Sequence, residues 1–222
     1  MTTTAIRTRL GALSLGLAGV MFVLYPAVRP WEDESTAAGA YAAMSSGAWV
    51  ASHLFAIIGF ILVPLGLLAL WGLVKDTRAE RLALLAVVTG WVGAGLTLPY
   101  YGAEDFGLHA VATTAEQSDL LAIADEFRLH PVAATLFGGG LVALAVSGVL
   151  AAIGGWRSGI LPRSAGLLFA AGLVLFLPQF FTPAAVRIAH GVLLGVGLGW
   201  LAVAMWRQAS SARRSPAPPV EP

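Results

Sequence analysis

The sequence predicts an all-α protein, a polytopic transmembrane helical bundle of six spans, and three observations predict it. Of 222 residues, 58% are apolar and 11% charged, with a mean hydropathy of +0.80, a composition foreign to soluble domains. The charges fall in short islands separated by apolar runs of roughly 20 residues, the length a helix needs to cross a bilayer. Successive islands alternate between basic and acidic, as expected of a chain that crosses repeatedly while its Lys and Arg stay on one side.

The first run, about residues 10–28, follows Arg7 and Arg9. It exceeds the apolar core of a signal peptide, about 7–15 residues, and no A-x-A pattern follows, so it reads as a retained span. A polar loop with Pro30, Trp31, Glu32, Asp33 and Glu34 leads to Ser45 and Ser46, cap candidates for a second span over about 48–74. The charged turn from Lys75 to Arg81 closes that span and opens a third, about 82–101. Beyond it, Leu120, Leu121, Ala124, Phe127 and Leu129 fall near helical spacing within Ala115–Leu129, predicting an amphipathic surface helix. Pro131 suits the first turn of a fourth span, about 131–153. A fifth covers about 164–181, and Thr182 and Pro183 cap and start a sixth, about 184–206. Residues 1–209 thus make one membrane domain, with 210–222 a proline-rich tail expected to be disordered and cytoplasmic.

Placing the N-terminus inside puts ten basic residues on the cytoplasmic side and leaves Arg29, Arg128 and Arg187 at the outer side. The expected location is therefore the plasma membrane, multi-pass, with both termini cytoplasmic. The preference for Arg over Lys and the Ala, Gly and Leu bias suggest a GC-rich bacterial genome. Odd spans begin after an arginine and end near a proline. Even spans carry a histidine near one end (His53, His130, His190) and a tryptophan near the other (Trp71, Trp156, Trp206). That pattern raises three similar helical hairpins as the organisation, although arginine retention and interfacial tryptophans account for most of it.

Several function classes drop out. A net charge of +1 without a long basic tract gives no reason to expect nucleic acid. With no cysteine, thiolate catalysis and iron–sulfur ligation are excluded. No carboxylate falls at a span centre, against a proton- or ion-coupled pump. The expected partners are membrane lipids and, through the small-residue stripe Gly191, Gly195 and Gly199, a second copy of the chain.

The chemically richest stretch is residues 98–109, where an apolar run meets Pro99, Tyr100, Tyr101, Glu104, Asp105 and His109. If the helix continues past Pro99, Asp105 and His109 share a face. Arg187 lies within an apolar span, where an unpaired charge is costly, so an acidic partner is expected and Glu104 or Asp105 are nearest. Tyr101, Glu104, Asp105 and Arg187 are accordingly the candidate ligand-binding residues. His53, His109 and His190, with His130 further off, are candidate ligands for a divalent metal such as zinc, or for haem. No H-E-x-x-H or similar spacing supports that reading, and His53 and His190 equally suit hydrogen bonds between helices. The sequence thus leaves three functions open: an outward-facing polar pocket for a small or lipidic ligand or a metal, a metal-dependent enzyme acting on a lipid-soluble substrate, and a structural subunit without a site.

Overall fold

A computed structural model describes residues 3–114 and 119–211. Long helices dominate because the spans combine Leu, Ala and Val with few interior breakers, leaving the backbone no better partner than itself in an apolar medium. In order, these are α1 (Thr3–Val28), the short α2 (Ala37–Met44), α3 (Gly47–Val74) and α4 (Glu80–Gly102). A π-helical turn, Ala103–Gly107, joins α4 to α5 (Leu108–Thr114), so the chain stays helical past Pro99. Then come α6 (Leu120–Leu129), α7 (Pro131–Ser158), α8 (Leu167–Val174), a 3₁₀ turn (Pro178–Phe181) and α9 (Ala184–Ser211).

Five helical stretches among the described residues are long and apolar enough to cross a membrane: Thr3–Val28, Gly47–Val74, Glu80–Thr114, Pro131–Ser158 and Ala184–Ser211. Their outward surface is itself apolar, with Leu13 and Leu17 of α1, Trp91 and Val92 of α4, Val142 of α7 and Val196 of α9 all exposed. A helix that is apolar on both its packed and its free sides belongs in lipid. The chain is thus an all-α bundle of the multi-pass membrane type.

Local signals explain the helix starts. The Ser46 hydroxyl accepts from the Trp49 N–H at 3.1 Å, capping α3 as expected. Pro131 occupies the first turn of α7. Thr182 does not cap α9; its hydroxyl donates to the Gln179 carbonyl at 2.7 Å. The predicted surface helix is present as α6, with residues 115–118 outside the described residues. The predicted tail also lies outside them, apart from Ser210 and Ser211, which complete α9.

The segment predicted as the fifth span is the least regular. Its α-helical part is only eight residues, flanked by turns and the 3₁₀ turn. It nevertheless runs antiparallel to α9 along nearly the whole of that helix. The Ile160 carbonyl accepts from Gln208 Nε2 at 2.6 Å, the Gly172 carbonyl lies 2.7 Å from His190 Nε2, and Gln179 Oε1 accepts from Arg187 Nε at 3.1 Å.

The long elements close into a ring: α1 packs on α3 and α9, α4 on α3 and α7, and α8 on α7 and α9. Glycines set the close approaches. A Cβ at Gly19 would meet the Gly195 carbonyl, and Cβ atoms at Gly191 and Gly195 would meet Pro26 and Val23. The small-residue stripe of α9 therefore seats α1 of the same chain at Gly191 and Gly195, while a Cβ at Gly199 would meet open space. The ring is filled by aromatic side chains from different elements. Phe22 meets Phe60 edge-on at 5.1 Å, and Phe60 contacts Phe176 at 5.2 Å and Tyr101 at 5.3 Å. At the acidic end a separate small core forms from Ala40, Met44, Trp49, Leu108, Leu120 and Ala124. It holds α2, α5 and α6 across that end of the bundle.

Candidate functional site

The π-helical turn brings two adjacent carboxylates to the buried side. An α-helix would turn them about 100° apart; the wider π turn separates neighbours less, and such turns recur at functional sites. Glu104 is 7% exposed and Asp105 0%. The Glu104 carbonyl also accepts from Trp49 Nε1 at 2.7 Å, tying the turn to α3.

Glu104 is the anchor of a charge relay. Arg128 of α6 grips it with both edges, Nε to Oε1 at 2.6 Å and Nη2 to Oε2 at 2.9 Å, the parallel geometry that suits guanidinium to carboxylate. Arg128 Nη2 also reaches Glu34 at 3.0 Å, and Glu34 in turn pairs with Arg29 at 2.7 Å. Burial raises the Glu34 carboxyl, but the charges of Arg29 and Arg128 and their hydrogen bonds prevail and hold it below the ordinary glutamate value. Burial likewise lowers the Arg128 guanidinium, yet the hydrogen bond and charge of Glu104, then Glu34, hold it above its ordinary value. Arg29 lies over two indoles, its guanidinium carbon 5.0 Å from the Trp31 ring and 4.8 Å from the Trp49 ring.

Arg187 does not pair with Glu104 or Asp105, correcting the expected ion pair. Its Nε donates to Gln179, and its guanidinium lies over Trp31 at 4.9 Å and Phe180 at 5.1 Å. Among the described residues no carboxylate reaches it. The acid the sequence offers is taken by Arg128, which α6 delivers to the same end of the bundle.

These groups border a cavity of about 530 Å³, a size usual for small-molecule sites. Its walls are aromatic and aliphatic, from Tyr25, Tyr100, Tyr101, Phe137, Leu177 and Phe180; its polar end holds Arg29, Arg128, Arg187, Glu34, Glu104 and His53. The lining carries three guanidiniums against two carboxylates, an excess of one positive charge. Tyr100 stacks on Phe137 at 4.1 Å and also meets Phe127 at 4.8 Å, fixing the wall between α4, α6 and α7.

Of the candidate ligand-binding residues, Tyr101, Glu104 and Arg187 line this cavity and Asp105 does not. The structure does not bring the candidate metal ligands together. His53 places Nδ1 2.8 Å from the Trp49 carbonyl of its own helix, His109 places Nδ1 2.8 Å from the Met44 carbonyl, and His190 places Nε2 on Gly172 of the neighbouring segment. His130 is exposed at the start of α7. Among the described residues no three His, Asp or Glu side chains converge as metal ligands. Of these side-chain types His53, Glu34 and Glu104 border the cavity, and both carboxylates are engaged by arginines, Glu104 by Arg128 and Glu34 by Arg29 and Arg128. Because a carbonyl only accepts, the His53 proton belongs on Nδ1, which leaves Nε2 as an acceptor.

Sequence reasoning missed Arg29, Glu34, Arg128 and Tyr25 as parts of the site. The amphipathic α6 was a signal for Arg128, since a helix packed on the bundle end must direct its last turn somewhere. No local signal marked Tyr25 or Glu34. No family model, curated protein or solved structure matches the chain.

Proposed function

We propose that the protein is an integral plasma-membrane protein with both termini cytoplasmic, whose outer cavity binds an amphipathic ligand with an anionic head. Six crossings are supported by the register of the 160–179 segment against α9. It matches the stretch from Gln208 back to Arg187, about 30 Å of helix at 1.5 Å per residue and hence the thickness of the hydrocarbon core. The same register supports three consecutive hairpins, α1 with α3, α4 with α7, and α8 with α9.

The observation that carries the ligand reading is Arg187, a guanidinium with no carboxylate partner among the described residues, at the polar end of an apolar-walled cavity. The other two arginines are neutralised by Glu34 and Glu104, so the net charge available to a ligand is that of Arg187. The aromatic walls take an alkyl or ring body, and His53 Nε2 can accept from a hydroxyl on it. Purified protein in a non-ionic maltoside should be stabilised by dodecanoate more than by dodecyltrimethylammonium or dodecanol, and Arg187→Gln should abolish the preference. Equal stabilisation by all three, or an unchanged preference in Arg187→Gln, would sink the proposal.

A further inference from the structure

A second groove, independent of the outer cavity, lies at the opposite, basic end between α1 and α3. It encloses about 720 Å³ and no acidic side chain lines it. The two helices touch along its floor, where a Cβ at Gly11 would meet Ala69, and again where one at Gly66 would meet Leu15. At its mouth stand Arg7, from the first turns of α1, and Lys75, which follows the last residue of α3; both are exposed. Neither has an acidic partner among the described residues. Of the hydroxyls nearby, Thr8 donates to the Thr4 carbonyl at 3.0 Å and Ser14 to the Leu62 carbonyl at 2.8 Å, while Thr4 itself is exposed at the mouth.

One buried donor beside the groove is without an acceptor. The Trp71 indole N–H is buried, and no acceptor among the described residues reaches it. A buried donor without an acceptor is costly, and native structures rarely keep one without a reason. Trp71 precedes Lys75 by one helical turn, so its indole lies about 6 Å deeper than the cationic mouth. Leu10 borders the groove at about the depth of Trp71, and Leu68 and Leu65 lie deeper; all three are exposed.

We infer that this groove is a binding site for an anionic phospholipid. The vertical order of groups is that of such a lipid: cations at the level of the phosphate, a single N–H donor one turn inward at the level of the glycerol and ester oxygens, and leucines along the acyl chains. Basic pockets between spans at the cytoplasmic face suit anionic head groups, each cation adding attraction near the surface. Free phosphate shares the chemistry of the mouth but reaches neither the indole nor the leucines.

The test is native mass spectrometry of the full chain in maltoside, titrated with phosphatidylglycerol, phosphatidylcholine or inorganic phosphate. Wild type should retain phosphatidylglycerol over phosphatidylcholine, and Arg7→Gln/Lys75→Gln should weaken its binding about 10- to 30-fold. Trp71→Phe keeps the ring and removes the donor; it should weaken binding of both lipids about 3- to 10-fold, by the loss of one hydrogen bond. Arg157→Gln/Arg163→Gln, in a separate basic cleft with Arg78, should leave this binding event unchanged. The inference is overturned if phosphatidylglycerol binding survives the Arg7/Lys75 change, if the Arg157/Arg163 change reduces it equally, or if inorganic phosphate displaces it at equal concentration. Should Arg7→Gln/Lys75→Gln not fold, an unaltered affinity in Trp71→Phe overturns it alone.

Discussion

Arg128 holds Glu104 through two parallel contacts of 2.6 and 2.9 Å, joining the helix laid across the acidic end of the bundle to the π-helical turn that follows α4. The pair is mostly buried, with side-chain exposures of 23% and 9%. Removing Arg128 strands Glu104 in a poorly hydrated place, and removing Glu104 leaves Arg128 only its contact with Glu34, a loss of about 2–4 kcal/mol for a site between surface and interior. A double-mutant cycle on thermal stability in detergent should therefore give strong coupling between Arg128→Ala and Glu104→Ala. The cycle between Arg187→Ala and Glu104→Ala should be additive within about 0.5 kcal/mol. The reverse pattern would show that Arg187 is the real partner of Glu104.

Glu34 links the two outer arginines and supplies the pH dependence. Its carboxyl is held below the ordinary value of 4.5 in the folded protein, so its stabilisation is fully present above 4.5 and is lost as pH falls through the lowered folded value. The gap in melting temperature between wild type and Glu34→Gln should be steady at neutral pH and close in acid. A gap that widens as pH falls would contradict the sign.

The topology is open to labelling because the chain has no cysteine. Single cysteines at Ala38, Thr114 and Phe181 should react with an impermeant thiol reagent on intact cells, and ones at Arg163 and Ser211 only after permeabilisation. All five positions are exposed, Phe181 at 86%. Phe181 and Arg163 bracket the short α8 segment. Labelling both from the same side would reduce the crossings to five.

The bundle was legible because its cause is simple: apolar runs of bilayer length, bounded by caps such as Ser46 and Pro131, leave few alternatives. The site was legible only in part. Tyr101, Glu104 and Arg187, which line the cavity, could be singled out because polar groups in or near an apolar span need a reason, which a single sequence shows. Which charge meets which depends on a ring of helices and on α6 folding back over its end, and neither leaves a local trace. The same holds for the histidines. Their regular positions at 53, 130 and 190 suggest a shared role, but three different neighbourhoods give one a place in the cavity, one an exposed helix start and one a bond between neighbouring segments.

Glu104 and Asp105 are adjacent and both buried, yet they should respond oppositely to neutralisation. Glu104 has both oxygens on Arg128, so Glu104→Gln exchanges a charge-assisted bidentate pair for at most one neutral hydrogen bond. The melting temperature should fall, by the equivalent of about 1–3 kcal/mol. Asp105 is 0% exposed, and neither oxygen meets a donor among the described residues. His109 is near enough to act on its charge, but the His109 ring spends Nδ1 on the Met44 carbonyl. A buried carboxylate without donors costs stability, so Asp105→Asn should raise the melting temperature by the equivalent of about 0.5–2 kcal/mol. The shape is kept, so packing should not confound the comparison. If Asp105→Asn instead lowers stability as Glu104→Gln does, the carboxylate is in use, and the acidic end of the bundle holds a second site beside the cavity.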